Sequence, residues 1–96
     1  MEKTEIRKIL VERFGYSEAS AENVSKRILS MDADTYASLL RLFETYEADL
    51  SLSCGEYSIA SLMEGYGMKP PAAYLTISDL KKDYATMSAL LSGGIK

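Results

Sequence analysis

The stretch Asp32–Leu52, DADTYASLLRLFETYEADLSL, decides the fold. Its apolar residues recur at steps of three and four, which is the period of one face of an α-helix. They are Tyr36, Leu39, Leu40, Phe43, Tyr46 and Leu50. Asp32 and Asp34 stand at the front, where carboxylates accept hydrogen bonds from backbone N–H groups and oppose the positive end of the helix dipole. The pattern predicts a central amphipathic helix over residues 33–50.

Apolar stripes of the same period lie on both sides of this stretch and predict four further helices. Thr4 is placed to cap the first, Gly15 to end it in a left-handed conformation, and Ser17 to cap the second. Ser53 and Glu56 match a capping box at the start of the fourth. The predicted helices cover residues 5–14, 18–30, 33–50, 54–66 and 77–91.

The segment between the last two predicted helices has two interpretations. Pro70 and Pro71 cannot continue a preceding helix, because proline lacks the N–H that a helix interior requires. A helix beginning at Ala72 would use the whole apolar pattern that follows, whereas residues 74–77, YLTI, have the composition of a strand. We favour a proline-containing extended connection over residues 67–76, with the helix beginning at about Ile77.

These elements predict an all-α protein consisting of one domain, residues 1–96. Hydrophobic residues make up 47% of the 96 residues and charged residues 26%, which is typical of a folded globular domain. The expected architecture is a compact bundle of about five short helices, with orthogonal or irregular packing around the central helix.

The charge distribution argues against nucleic acid as a partner. The net charge is −3, and residues 31–60 contain one basic residue against six acidic ones. Binding to a phosphate backbone depends on lysine and arginine. Cys54 is the only cysteine, so no internal disulfide forms, which fits a reducing compartment. We see neither a signal peptide nor a membrane span, and we expect a cytoplasmic protein that is complete from Met1.

The residue inventory argues against an enzyme, a metal site or a cofactor. The chain has no histidine, which removes the commonest general base and metal ligand. Glu44 and Glu47 are interpreted as a solvated helix face, and Cys54, at the predicted start of the fourth helix, as a small half-buried residue. Met63, Met68 and Met87 are interpreted as core residues rather than as the lining of a groove.

The last predicted helix carries the candidate binding surface. Its apolar residues alternate steps of four and three, as in the seam of a coiled coil, over Ala73, Ile77, Leu80, Tyr84, Met87 and Leu91. Together, the five helices carry more apolar surface than a monomer of this size readily covers. We expect a non-enzymatic protein-interaction module, either self-associating as a homodimer or docking on a partner protein. The predicted contact residues are Leu80, Tyr84, Met87 and Leu91.

Two alternatives remain. One is an accessory transcriptional or nucleic-acid-associated regulator, which would require a contiguous basic patch formed by Arg7, Lys8, Arg13, Lys26 and Arg27. The other starts from the sequence Phe14-Gly15-Tyr16-Ser17 between two short helices, followed by a helix containing Leu39-Leu40. This half of the chain resembles the ubiquitin-associated three-helix fold. The resemblance implies a partner-binding surface formed by Gly15, Tyr16, Leu39 and Leu40.

Overall fold

The computed structural model describes residues 1–94, and for residues 87–94 it describes the backbone only. The prediction of an all-α domain is confirmed, because 71% of the structure is helical. The helices are α1 (Lys3–Phe14), α2 (Glu18–Ile28), α3 (Ala33–Thr45), α4 (Ile59–Tyr66) and α5 (Pro70–Gly94). Between α3 and α4 lies an antiparallel hairpin of strands β1 (Ser53–Cys54) and β2 (Tyr57–Ser58).

Local capping signals fix the ends of the first helices. Gly15 ends α1 with φ 72°, in the left-handed region that glycine adopts without strain. The side chains of Ser17 and Asp32 each accept a hydrogen bond of 3.1 Å from the N–H three residues ahead, as predicted. The prediction of Thr4 as a cap is wrong, because α1 begins at Lys3 and Thr4 lies inside the helix. The residue before the helix is Glu2, whose side chain makes no capping hydrogen bond.

Helix α3 ends at Thr45, five residues before the predicted end. Tyr46 adopts φ 58°, and its N–H donates to the carbonyl oxygen of Leu42 at 2.7 Å, which closes the helix. The Phe14 ring lies 6.4 Å from the Tyr46 ring, and the Arg13 guanidinium lies 5.2 Å from its centroid. These contacts stabilise a left-handed conformation that a bulky residue seldom adopts. Helix α2 is also shorter than predicted, by two residues.

The predicted helix over residues 54–66 is wrong in its first five residues, which belong to the hairpin and its turn. Cys54 pairs with Tyr57 across a two-residue turn. Gly55, the first residue of that turn, has φ 62°, which glycine supplies readily in tight hairpins. The capping box exists, but it is formed by Ser58 and Ser61, each of which accepts a hydrogen bond from the other's backbone N–H.

Helix α5 begins at Pro70, so the predicted extended connection over residues 67–76 is wrong. A proline in the first turn loses no helical hydrogen bond and has a φ suited to a helix. The first bond of the new helix runs from the N–H of Ala73 to the carbonyl oxygen of Lys69, at 3.0 Å. Only residues 67–69 separate α5 from α4, and Gly67 supplies the turn with φ 66°.

The first half of α5 completes the hydrophobic core. Tyr74 is fully buried, and its hydroxyl oxygen accepts a 2.8 Å hydrogen bond from the backbone N–H of Asp49. That bond fixes the segment between α3 and the hairpin to the core. The buried apolar residues are Ile6, Leu10, Ala21, Ile28, Leu39, Leu42, Phe43, Ile59, Leu62, Ala73, Tyr74, Leu75 and Ile77.

The second half of α5 gives the molecule its length. The whole of α5 has 25 residues and corresponds to a rod of about 37 Å at 1.5 Å per residue. The principal dimensions are 50 × 26 × 21 Å, and the radius of gyration is 14.4 Å. A compact domain of this size would have a radius of gyration of about 12.5 Å. Residues 82–86 are all exposed, so the buried core ends before Lys82, although Lys82 still bonds to Ser30 and Tyr84 still lies on the hairpin turn.

Candidate functional site

An apolar groove lies between α4 and α5 and is closed at one end by the hairpin. Its cavity volume is about 230 Å³. The residues that line it are Tyr57, Leu62, Tyr66, Met68, Thr76 and Leu80. Aromatic, methionine and leucine side chains of this kind are typical of surfaces that bind apolar side chains of a partner.

Local structure positions each wall of the groove. The capping box at Ser58 fixes the start of α4, so that Leu62 and Tyr66 lie one turn apart on the same face. The turn at Gly67 then brings Met68 against α5, where the hydroxyl of Thr76 lies 3.6 Å from the methionine sulfur. The groove is therefore built by the short connection between α4 and α5.

Two tyrosines form the rim next to the hairpin. The rings of Tyr57 and Tyr66 lie 6.2 Å apart at an interplanar angle of 54°. The neighbouring Tyr66 hydroxyl raises the pKa of Tyr57, and Glu56 and Tyr84 add to the effect. Tyrosine is neutral at physiological pH even at its ordinary pKa of about 10, so the Tyr57 hydroxyl is a hydrogen-bond donor at the rim.

Tyr84 extends the apolar surface beyond the groove. Its hydroxyl oxygen lies 2.6 Å from the position that a Cβ atom would take on Gly55, so the ring lies across the hairpin turn. About half of its surface is exposed (50%), and Tyr66 is more exposed still (64%). An accessible aromatic surface therefore runs from the end of α4, across the hairpin, to the middle of α5.

The structure places two of the four predicted contact residues at this surface. Leu80 is half-buried in the groove wall, and Tyr84 lies beside it on the hairpin turn. Met87 and Leu91 belong to α5, but their side chains lie outside the described part of the structure. Residues earlier in the same seam, such as Ile77, pack inward.

Sequence reasoning missed most of the groove, because the hairpin was not predicted. Tyr57 and Tyr66 lie nine residues apart, and only the hairpin and the capping box bring them together. Met63 and Met68 both pack against the core, as interpreted, and Met68 also lines the groove. The sequence Cys54–Tyr57 could have predicted the hairpin, because it has a glycine in a turn of two residues.

The surface implied by the ubiquitin-associated resemblance is partly covered, although Gly15 is exposed. Leu39 is fully buried, and Leu40 and Tyr16 are half-buried. The Lys69 ammonium donates hydrogen bonds to the carbonyl oxygens of Gly15 and of the residue before it, at 3.0 and 2.8 Å. It also lies 4.7 Å from the centroid of the Tyr16 ring. Burial raises the pKa of Tyr16.

The basic residues considered for nucleic-acid binding are interleaved with carboxylates. Arg7 and Lys26 contact Glu22 at 3.0 and 3.8 Å, and Lys3 also bonds to it. The hydrogen bond from Lys3, followed by that from Arg7, lowers the pKa of Glu22. Arg27 pairs with Asp79 at 2.5 Å. Arg13 lies over Tyr46, and Lys8 borders a polar cavity that also contains Glu12 and Glu18. Carboxylates therefore lie among the basic residues on this side of the protein, where they reduce the attraction for a phosphate backbone.

The polar cavity is larger than the groove, about 340 Å³, but its lining is a solvated surface. Thr4, Arg7, Lys8, Val11, Glu12 and Glu18 line it. Two basic and two acidic side chains share this lining, so neither an anion nor a cation is favoured. In the described residues, no group of three or more histidine, cysteine, aspartate or glutamate side chains could hold a metal ion.

The remaining candidates for chemistry are dispersed. Glu44 and Glu47 are both exposed, as predicted, but Glu44 lies in the last turn of α3 and Glu47 beyond its end, so they do not share one helix face. Cys54 is half-buried in β1 rather than at a helix start.

Comparisons with known proteins add no functional information. No family model matches the chain, and neither a curated protein nor a solved structure matches it. None of the helices in the described residues is long and apolar enough to cross a membrane.

Proposed function

We propose that this protein is a non-enzymatic helical interaction module that self-associates, with a second copy of the chain covering the α4–α5 surface. The observation that carries the proposal is the continuous apolar surface formed by the groove and Tyr84. Tyr66 and Tyr84 are both at least half exposed on it. Large aromatic side chains grouped in this way are typical of the centre of a protein interface.

The composition of the end of α5 supports a second copy as the occupant. Residues 85–94, ATMSALLSGG, contain no charged residue, and we call them the C-terminal arm. Their backbone is helical, and the last described side chains before it, at residues 82–84, are exposed. A short uncharged helix is only marginally stable in water unless one of its faces packs against another surface. The groove offers an apolar surface of this kind.

The arm cannot occupy the groove of its own chain. Thr76 and Leu80 form one wall of the groove and belong to the same continuous helix as the arm. A straight helix does not fold back along its own side, so only the arm of another molecule can reach this position. Self-association would cover both the groove and the C-terminal arm without requiring a different protein.

Size-exclusion chromatography with light scattering over a range of concentrations tests the proposal. We expect a dimer whose dissociation constant increases by about tenfold or more when Tyr66→Gln removes one aromatic contact. Leu29→Gln is the matched control, because Leu29 is equally apolar and exposed (51%) but lies at the end of α2. A wild-type protein that stays monomeric at the highest attainable concentration would refute self-association.

A further inference from the structure

We infer that the two copies exchange their C-terminal arms, so that the arm of each copy lies antiparallel along Thr76–Tyr84 of the other and covers its groove. This inference rests on the proposed self-association and assigns the contact within it. The arm of the second copy would contact the face of α5 that includes Leu80 and Tyr84. This face continues from the groove onto the hairpin turn.

The lengths of the two surfaces match. The arm contains ten residues and spans about 15 Å along the helix axis, and the nine residues Thr76–Tyr84 span about 13.5 Å. A two-fold axis crossing α5 near residue 85 places residue 94 of one copy beside Thr76 of the other. The same axis places residue 90 beside Leu80. Each copy then contributes one arm and one groove, and the interface closes as a two-fold dimer.

The charges on α5 favour the antiparallel direction. Lys81, Lys82 and Asp83 are the last charged residues before Lys96. In a parallel pair in register, these residues would lie beside their counterparts, which brings like charges together. In the antiparallel pair, they lie beside residues 87–89, which carry no charge.

The contacts that the lysines make within one chain are consistent with this arrangement. Lys81 lies 3.7 Å from the carboxylate of Asp32, and Lys82 donates a hydrogen bond to the carbonyl oxygen of Ser30. Both lysines are thus directed toward the end of α2 and the start of α3. Leu80 and Tyr84 instead contact the groove and the hairpin. A second helix can therefore contact the half-exposed Tyr84 without displacing the contacts of either lysine.

Complementation between two full-length variants tests the exchange. The arm variant carries Leu90→Gln and Leu91→Gln, and the groove variant carries Tyr66→Gln and Leu80→Gln. We expect each alone to dimerise at least about 30-fold more weakly than the wild type, the size of one interface hot spot. Mixed together, they should form a heterodimer, because the intact arm of the groove variant meets the intact groove of the arm variant. Native mass spectrometry resolves the heterodimer by mass, and circular dichroism confirms that each variant remains helical.

Two outcomes contradict the exchange and leave self-association standing. One is a groove variant that dimerises as tightly as the wild type, which would mean that the arms pack on each other away from the groove. The other is a mixture that forms no heterodimer while the wild type is dimeric. A monomeric wild type would instead refute both self-association and the exchange.

Discussion

The two halves of α5 share one helix and have opposite environments. Residues 70–78 complete the core, with Ala73, Tyr74, Leu75, Ile77 and Ser78 all buried. Residues 82–86 are exposed without exception. The apolar seam in the sequence continues through both halves, so the pattern alone does not show where the core ends. The comparison shows that one amphipathic stripe packs into the core in the first half of α5 and continues onto an exposed surface in the second half.

The largest expected effect comes from the buried half. Ile77→Ala removes a fully buried side chain and leaves a cavity, and we expect the free energy of unfolding to fall by about 2–5 kcal/mol. Thr86→Ala, in the exposed half of the same helix, should change it by no more than about 0.5 kcal/mol. Urea denaturation measures both, at protein concentrations below the dimer dissociation constant. Equal effects would show that the two halves are not distinct.

The hairpin turn gives the next largest effect. Gly55→Ala places a Cβ atom on a residue with φ 62°, and this backbone conformation costs about 1–2 kcal/mol for a residue other than glycine. The same Cβ atom would also lie too close to the Tyr84 hydroxyl. The Tyr84 ring lies at the end of a side chain that can rotate away, so we expect the backbone conformation to account for most of the loss. Gly55→Asn, which tolerates the left-handed region better, should retain more stability. A loss that disappears in the Tyr84→Ala background would instead assign it to the contact with the ring.

A smaller effect is expected from the only polar group on Tyr74. Tyr74→Phe keeps the buried ring and removes the hydroxyl that accepts the 2.8 Å bond from the N–H of Asp49. We expect the free energy of unfolding to fall by about 1 kcal/mol. Amide hydrogen exchange at residues 46–52, between α3 and the hairpin, should become faster, whereas exchange within α5 should not change. Unchanged exchange at Asp49 would contradict the role of the hydroxyl as an anchor.

The smallest effect depends on pH. Burial opposes ionisation of Asp32, but the hydrogen bond from the Thr35 N–H, the nearby Ser78 hydroxyl and the charge of Lys81 outweigh it and lower the pKa of the carboxyl. The ionised form therefore stabilises the fold above the unfolded pKa of about 3.9, and this contribution is lost as the pH falls through the lower folded value. Asp32→Asn keeps a capping oxygen but does not titrate. Thermal melts of the variant should lose less stability between pH 5 and pH 3 than those of the wild type, and parallel curves would contradict the assignment.

The sequence predicts those parts of the fold that depend on local signals. Gly15, Ser17 and Asp32 determine helix ends through their own backbone preferences and hydrogen bonds, and the structure confirms all three. The end of α3 could not be found in this way. Tyr46 is an unlikely residue for the left-handed region, and contacts from the end of α1, distant in sequence, stabilise it there.

The candidate site follows the same division. Leu80 and Tyr84 were found because the helical period of α5 is a local property. Tyr57 and Tyr66 were missed because their proximity depends on a hairpin of two-residue strands, too short to show a periodic pattern. The prolines were misleading for a different reason. They end one helix and begin the next, and a sequence pattern does not distinguish these two roles.

The position of α5 in the chain has a consequence for synthesis. Among the described elements a ribosome makes α5 last, yet Tyr74 and Ile77 belong to the core, and Lys69 bonds to the carbonyl groups at the end of α1. A nascent chain that stops before residue 78 therefore lacks part of the core against which α3 and α4 pack. The domain folds only after α5 has been made, and premature termination within α5 would give a product prone to aggregation and degradation.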